Sequence, residues 1–228
     1  RDLEAMIVLP TEPTVSTQPM ESIASTESAE TVDSEITEAK ATFEKYKTLY
    51  EQNEDLEGWI SIEGTAVNYP VMQSVDRPDF YLKHGFDRQY SRYGVPYLDE
   101  ACATGLSNNL VIYGHNMKNG SMFANVCRFK EKSYYDSHPY GWVYTSDAVY
   151  RLDFFSVAVT DWHDEIYNGF RSLDEWTPHL KEISRIYEEV ELTEQDKLVL
   201  LSTCSYEFDN ARTVLTGRLV EMESDMNE

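Results

Sequence analysis

The sequence has few basic residues, few cysteines and no long apolar run. Lysine and arginine number 19 against 41 aspartates and glutamates, so the formal net charge is −22. Proteins that bind nucleic acid or anionic lipid need basic patches, and this balance argues against both partners. No apolar stretch reaches the roughly 18 residues that a membrane-spanning helix requires. The three cysteines show no CxxC or HExxH spacing, so no pattern of metal ligands is present.

The chain does have the composition of a folded protein. Its 228 residues are enough for one domain of ordinary size, and 41% of them are hydrophobic. Cys102 and Cys127 are compatible with one disulfide, but we favour two isolated, small apolar residues.

An apolar, β-compatible run at residues 198–201 leads into Cys204. Such a strand carries the thiol out of the core at its C-terminal end. Arg212 opens a second β-like run, RTVLTGRLVEM. If the two strands are neighbours, the guanidinium and the thiol face the same volume, and a nearby cation favours the nucleophilic thiolate. The alternative is a buried cysteine that only packs at a strand end.

A histidine at the end of another apolar run weakens that alternative. The segment NLVIYGH, residues 109–115, delivers His115 just before a polar loop. A cysteine nucleophile needs a base or imidazolium partner and a donor for the oxyanion. His115, Cys204 and Arg212 supply candidates for all three roles.

The rest of the chain from Gly58 onward predicts a mainly β fold with helices. The hairpin signal is a Ser146-Asp147 turn between two apolar runs. Many short strands with turn signals favour a β-barrel or a β-sandwich. The predicted strands are 58–62, 66–72, 95–99, 109–115, 141–146, 148–160, 197–204 and 212–222.

Two connections between these strands predict helices. Between residues 117 and 140, Phe123, Val126 and Phe129 recur at a three-residue spacing, which predicts one short helix packed on the strands. The connection 160–196 predicts a second helix, with apolar residues on one face at Leu180, Ile183, Ile186 and Tyr187.

The sequence allows two start positions for this second helix. Thr177 and Pro178 make a good N-cap and first helical residue. A start at Ser172, with Glu175 completing a capping box, is the alternative, although it leaves Pro178 inside the helix.

These motifs together resemble a known family. LVLLSTC with an arginine at the start of the next strand, and NLVIYGHN upstream, resemble the sortases, cysteine transpeptidases of Gram-positive cell surfaces. The resemblance extends from about Gly58 to the C-terminus and implies an eight-stranded sortase-type barrel. It implies that Cys204 attacks a threonine carbonyl, that His115 moves protons, and that Arg212 stabilises the oxyanion.

The N-terminal part and the long loop narrow the resemblance to class B sortases. Ile36, Phe43 and Tyr50 recur every seven residues, which predicts an amphipathic helix that ends near Asn53. A helix before the cysteine strand is also similar to class B members. We predict three regions: a flexible acidic Ser/Thr-rich tail at 1–34, a helical extension at 35–57 and the catalytic barrel at 58–228.

The resemblance also implies substrates and their contacts. The donor would be a secreted protein with a C-terminal sorting signal of NPxTx or LPxTG type, and the acceptor an amine of the peptidoglycan precursor. A pilin polymerase that uses a pilin lysine is an alternative, and so is a non-catalytic surface module on the same fold. The implied substrate-binding residues are Leu82, Tyr167, Ser202 and Thr203.

We expect no cofactor, and no metal even at His163, which lies in the acidic segment DWHDE. Sortases are usually tethered by an N-terminal membrane segment. We therefore expect this protein at the extracellular face of the plasma membrane, in contact with the membrane only through an N-terminal anchor missing from this chain.

Overall fold

Apolar runs of the sequence form strands, and these strands build the framework of the fold. The computed structural model describes residues 48–74, 76–102, 107–146, 148–168 and 172–222. The strands are β1 Leu56–Ser61, β2 Asn68–Met72, β3 Tyr97–Leu98, β4 Asn109–Tyr113, β5 Tyr140–Tyr144, β6 Val149–Asp161, β7 Ser184–Tyr187, β8 Leu198–Cys204 and β9 Ala211–Glu221. The α-helices are α1 Lys132–Ser137 and α2 Leu173–Ile183, and 3₁₀ helices lie at Phe80–Leu82, Phe123–Lys130 and Glu165–Asn168.

Eight of the strands close into a barrel. The sheet order is β5-β1-β2-β3-β4-β8-β9-β6, and β6 pairs again with β5 to complete the circle. The predicted mainly β fold with an eight-stranded barrel is therefore confirmed. The predicted hairpin is present too, because Tyr144 on β5 opposes Val149 on β6.

A pair of parallel, neighbouring strands in the barrel wall sets the position of the site. Strand β4 runs parallel to β8, with Tyr113 opposite Ser202 near their ends. Since both strands point the same way, both C-terminal ends reach the same rim of the barrel. Strand β9 is antiparallel to β8 and so begins at that rim.

Strand β8 is buried along nearly its whole length. From Leu198 to Thr203 every residue of this strand is buried. A strand that is covered on both faces is typical of one with a second layer outside it. The 3₁₀ helix Phe123–Lys130 contributes to that layer, with Phe123, Val126 and Phe129 fully buried. Its three-residue repeat is the period of a 3₁₀ helix, so the predicted short helix is present in that form, followed directly by α1.

The second predicted helix begins earlier and ends earlier than we favoured. Helix α2 starts after Ser172, which is the alternative start, and Pro178 lies inside it. Burial of Leu173 and Trp176 in the first turns offsets the backbone hydrogen bond that the proline removes. The Ser172 side chain makes no capping hydrogen bond, so the capping box is not formed.

The predicted apolar face of this helix is wrong in its second half. Ile186 and Tyr187 belong to β7, which pairs antiparallel with β6 outside the closed barrel. Their spacing from Leu180 fits a helix, but Ile186 and Tyr187 instead face Val157 and Ser156 across the ladder. The strand pairing therefore overrides the helical period of the sequence.

The N-terminal prediction is only partly within the described residues. Residues 48–50 are helical, and β1 begins at Leu56. The predicted tail at 1–34 and most of the helix in the extension 35–57 lie outside the described residues, so the boundaries of the three regions stay predictions.

The three cysteines are all free thiols, and Cys102 is buried. Its sulfur accepts a hydrogen bond from the amide of Val111 at 3.4 Å. Cys102 and Cys127 thus occupy separate places in the fold, as two isolated residues.

Candidate active site

The cysteine strand and the arginine strand meet at the rim of the barrel. Cys204, the last residue of β8, directly opposes Arg212 at the start of β9. Side chains opposed in this way have Cβ atoms about 5 Å apart. The two groups are therefore held together by the strand ladder itself, and their separation is independent of any loop.

The guanidinium of Arg212 is anchored on one side only. Its Nη1 donates to the carbonyls of Asn210 at 3.3 Å and Ala211 at 3.1 Å. Within the described part of the chain, Nε and Nη2 have no hydrogen-bond partner, and the side chain borders a cleft. These donors are available to a ligand that carries a negative or partly negative oxygen.

His115 reaches the same rim from the end of β4. The ladder continues past the strand, because the Gly114 amide donates to the Ser202 carbonyl at 3.1 Å. The Thr203 hydroxyl donates to the Gly114 carbonyl at 2.7 Å. Gly114 is required here, since a Cβ at this position would lie 2.6 Å from the ring of Phe123.

The loop after the histidine is tied back to the cysteine. The side-chain amide of Asn116 donates to the Cys204 carbonyl at 2.9 Å. The His115 carbonyl accepts from the amide of Phe123 at 2.9 Å. His115 is thereby fixed to β8 on one side and to the 3₁₀ helix on the other.

The imidazole of His115 has one defined partner. Its Nε2 lies 2.9 Å from the carbonyl oxygen of Leu82. A carbonyl can only accept, so Nε2 carries the proton and donates. The other ring nitrogen, Nδ1, is then the one able to exchange a proton when the ring is neutral.

All seven residues that the sequence singled out border one cleft of about 570 Å³. These residues are Leu82, His115, Tyr167, Ser202, Thr203, Cys204 and Arg212. Leu82 and Tyr167 are half-buried and present surface to the cleft. Ser202 and Thr203 are buried, and their hydroxyls are engaged within the protein: Ser202 with the Tyr167 hydroxyl at 2.9 Å and Thr203 with Gly114.

Tyr97 and Tyr113, which the sequence analysis did not single out, form one wall of the cleft in a row together with Tyr167. The rings of Tyr97 and Tyr113 lie 5.6 Å apart, and those of Tyr113 and Tyr167 lie 6.2 Å apart. Tyr97 donates to Asp79 at 2.7 Å, and Tyr113 donates to Asp99 at 2.9 Å. The row is therefore held by hydrogen bonds at its edge.

The tyrosine hydroxyls stay protonated over the physiological range. Burial, followed by the hydrogen bond to Asp79, raises the pKa of Tyr97 above its usual range. Burial raises the pKa of Tyr167 to about 12, although the hydrogen bond with Ser202 opposes this. The wall thus offers hydroxyl groups and ring faces, while the charge on that side comes from Asp79, Asp99 and the exposed Glu100.

The remaining histidines have local partners away from the cleft. His84 and His138 each have Nδ1 within hydrogen-bond distance of a backbone carbonyl, at 2.6 Å and 2.7 Å. His163 pairs with Asp161, and His179 pairs with Asp164. Among the described residues, no group of three or more His, Cys, Asp or Glu side chains is arranged to hold a metal ion. No helix in those residues is both long and apolar enough to cross a bilayer.

Comparisons of sequence and of structure with known proteins point to the same family. A sequence model of the sortase domain matches residues 60–220. Sortase B of Listeria monocytogenes is 30% identical over 184 residues, which cover 78% of this chain and 74% of that protein.

Solved structures agree with the sequence comparison. The structure of Clostridium perfringens sortase B has a TM-score of 0.70 and 30% identity, and covers 77% of this chain and 99% of its own. A class B sortase of Streptococcus pyogenes, described as involved in pilus biogenesis, has a TM-score of 0.70 and 26% identity, and covers 77% and 97%. This chain therefore belongs to the sortase family and is a class B sortase, a cysteine transpeptidase that acts on proteins carrying sorting signals.

Proposed function

We propose that Cys204, His115 and Arg212 carry out the transpeptidase reaction in this chain. The observation that carries the proposal is the register of β8 and β9, which sets Cys204 opposite Arg212 at the rim where β4 delivers His115. Nucleophile, proton carrier and oxyanion donor then border one cleft, which is the set of groups that acyl transfer to a thiol requires.

The first half of the reaction is acylation. The Cys204 thiol gives its proton to His115, and the sulfur attacks the carbonyl carbon of a threonine in the sorting signal, so that the carbonyl oxygen becomes an oxyanion. Arg212 donates to that oxyanion through Nε or Nη2. The carbon–nitrogen bond then breaks, the leaving amine takes a proton from His115, and a thioester on Cys204 remains.

The second half restores the enzyme. An incoming amine gives a proton to His115 and attacks the thioester carbonyl. The carbon–sulfur bond breaks, Cys204 leaves as thiolate, and a new amide joins the substrate protein to the acceptor. The bond broken and the bond formed are both amides, so the reaction needs no external energy source or cofactor.

The sorting signal occupies the cleft beside the tyrosine row. Leu82 and Tyr167 contact the signal directly, because their side chains are half-buried at the cleft surface. Ser202 acts through Tyr167, to whose hydroxyl it is bonded. Thr203 acts by fixing the backbone that leads to His115. The signal is of NPxTx or LPxTG type.

The acceptor is an amine of the peptidoglycan precursor, and the enzyme works at the extracellular face of the membrane, held by an N-terminal anchor. The support comes from the curated relatives, which are named sortase B. The similarity to a class B sortase described as involved in pilus biogenesis keeps a pilin lysine as the second candidate acceptor.

One experiment tests the reaction and the acceptor in sequence. The protein is incubated with NPxTx and LPxTG peptides, and intact mass is used to detect a thioacyl adduct on Cys204. A peptidoglycan-stem amine or a pilin-derived lysine peptide is then added to separate wall anchoring from pilus polymerisation. We expect an adduct that the stem amine resolves. Cleavage without transfer to either amine would contradict the proposal.

A further inference from the structure

A polar cluster that is partly buried lies next to the turn that contacts His115. We call Asn53, Asp55, Tyr81 and Arg88 the Tyr81 clamp. The Tyr81 hydroxyl donates to Asp55 at 2.6 Å and accepts from the side-chain amide of Asn53 at 3.1 Å. The oxygen of Asn53 accepts from Nε of Arg88 at 3.2 Å, and Arg88 also pairs with Asp55 at 3.2 Å.

The clamp holds its members in a specific arrangement. Asn53 is 5% exposed and Tyr81 is 1% exposed, so their hydrogen bonds are shielded from water. Arg88 has a positive φ of 60°, a conformation that non-glycine residues adopt only when their surroundings impose it. None of the four residues borders the catalytic cleft. The reaction described above therefore assigns no role to this network.

Tyr81 connects the clamp to the active site through the backbone. It precedes Leu82 in the 3₁₀ turn Phe80–Leu82. The Tyr81 carbonyl accepts from the Val95 amide at 3.1 Å, while the Leu82 carbonyl faces His115. Gly94 packs against this turn so closely that a Cβ there would lie 2.4 Å from the Tyr81 oxygen and 2.6 Å from the Leu82 oxygen. Gly94 and Val95 thus restrict the direction of the Leu82 carbonyl.

That carbonyl decides which nitrogen of the neutral imidazole carries the proton. Because the Leu82 oxygen accepts from Nε2 of His115, the bond favours the Nε2–H tautomer and leaves Nδ1 unprotonated. If the carbonyl turned away, the preference would be lost and the ring would be free to rotate. A histidine in the wrong tautomer or orientation cannot shuttle protons at the scissile bond.

We propose that the Tyr81 clamp is a positioning device for catalysis, which orients the Leu82 carbonyl so that His115 is held as the Nε2–H tautomer with Nδ1 directed to the reacting groups. The inference rests on the proposed function, because it assumes that His115 carries the proton. It gives Asn53, three residues after the helical segment 48–50, a part in setting the geometry of the active site.

The test uses Tyr81→Phe, which keeps the ring in the core and removes only the hydroxyl. Tyr135→Phe is the matched control, because Tyr135 is 2% exposed and its hydroxyl donates to the Phe154 carbonyl at 2.8 Å, outside the cleft. The tautomer of His115 is read by ¹⁵N NMR of histidine-labelled protein at about pH 8.5, where histidine is ordinarily neutral. The spectra are recorded in a Cys204→Ala background, and the signals are assigned with His115→Ala.

Steady-state kinetics are measured with Cys204 present. We expect Tyr81→Phe to lower the Nε2–H population and to reduce kcat by roughly tenfold, with the KM for the signal peptide nearly unchanged. Tyr135→Phe should leave both the tautomer and kcat as they are.

An unchanged tautomer in Tyr81→Phe would overturn the inference, and so would an equal loss of kcat in both tyrosine variants. Failure of the proposed function looks different: His115→Ala would then keep its activity whatever Tyr81→Phe does. A shifted tautomer together with an inactive His115→Ala supports both.

Discussion

The two halves of the candidate active site are held by different means. Cys204 and Arg212 belong to paired strands, and each is fixed by the β8–β9 ladder. His115 and Tyr167 lie beyond strand ends, and the position of each side chain depends on one hydrogen bond, to the Leu82 carbonyl and to the Ser202 hydroxyl. The strand half keeps its geometry as long as the barrel is folded, whereas the loop half depends on bonds that one substitution can remove.

This difference separates two kinds of catalytic loss. A substitution of Cys204 or Arg212 should remove one reacting group without moving the residues around it. A substitution that removes a hydrogen-bond partner of His115 or Tyr167 should keep the reacting groups but change their orientation. Variants of the two halves therefore test whether the division holds.

The largest effect is expected from Cys204→Ala. Removal of the nucleophile should abolish the thioacyl adduct and lower transfer by about 10,000-fold or more. The measurement is intact mass for the adduct and chromatography for the transfer product. Cys102→Ser is the control, since that buried thiol lies outside the cleft and a hydroxyl can still accept from Val111. A thioacyl adduct in the Cys204→Ala protein would assign the nucleophile elsewhere.

Arg212→Lys should follow in size. Lysine keeps the charge but lacks the planar fork of donors, so we expect kcat to fall by roughly 100- to 1,000-fold while the fold is retained. Circular dichroism and steady-state kinetics measure the two properties. Arg218→Lys, at the opposite end of β9, should be near normal in kcat. Near-normal turnover in Arg212→Lys would remove the arginine from the mechanism.

Tyr167→Phe probes the loop half and should have a smaller effect. Loss of the hydroxyl leaves Ser202 buried without its partner, which costs about 1 to 3 kcal/mol. Because Tyr167 contacts the signal in our proposal, the KM for the signal peptide should rise several-fold more than kcat falls. Tyr187→Phe on β7, away from the cleft, is the control. A pure loss of kcat with unchanged KM would place Tyr167 outside the binding surface.

The smallest effect concerns the loop between β8 and β9, which Glu207 anchors to Lys130. Burial acts to raise the pKa of Glu207, but the hydrogen bond from Lys130 outweighs it and lowers the value to about 2. A carboxylate with a lowered pKa contributes stability above its unfolded pKa, and the contribution is lost as pH falls toward 2.

Glu207→Gln should therefore lower the free energy of unfolding by about 1 kcal/mol at neutral pH, after allowance for solvent screening, and by less as the pH approaches 2. Urea denaturation at neutral and acidic pH measures the difference. Glu189→Gln, which breaks an exposed pair with Lys181, should change stability little at either pH. Equal losses of unfolding free energy in both variants would show that the Glu207–Lys130 pair stabilises the protein no more than an exposed ion pair does.

The sequence indicated the candidate catalytic residues and the barrel through different signals. Cys204, His115 and Arg212 were identifiable because each polar group follows or opens an apolar strand, and that pattern is local. Their meeting at one rim depends on the parallel pairing of β4 with β8, which joins distant segments and has no local signal. The family resemblance supplied what the pattern alone left open between a barrel and a sandwich.

The errors have physical causes as well. Ile186 and Tyr187 kept a helical spacing, but pairing with β6 placed them in a strand. Pro178 argued for a late helix start, and the burial of Trp176 outweighed it. Tyr97 and Tyr113 were not recognised as cleft residues, because β3 is only Tyr97–Leu98 and its place between β2 and β4 is set by tertiary contacts.

The hairpin between β8 and β9 offers a practical opening for engineering. Since the Cys204–Arg212 pair closes the ladder just below residues 205–210, the exposed side chains at the tip can be exchanged while the catalytic spacing is preserved. Tyr206 and Phe208 on this tip are exposed, so substitutions there meet solvent and spare the core. Libraries confined to the tip would alter the exposed surface of this hairpin and leave the three proposed catalytic residues in place.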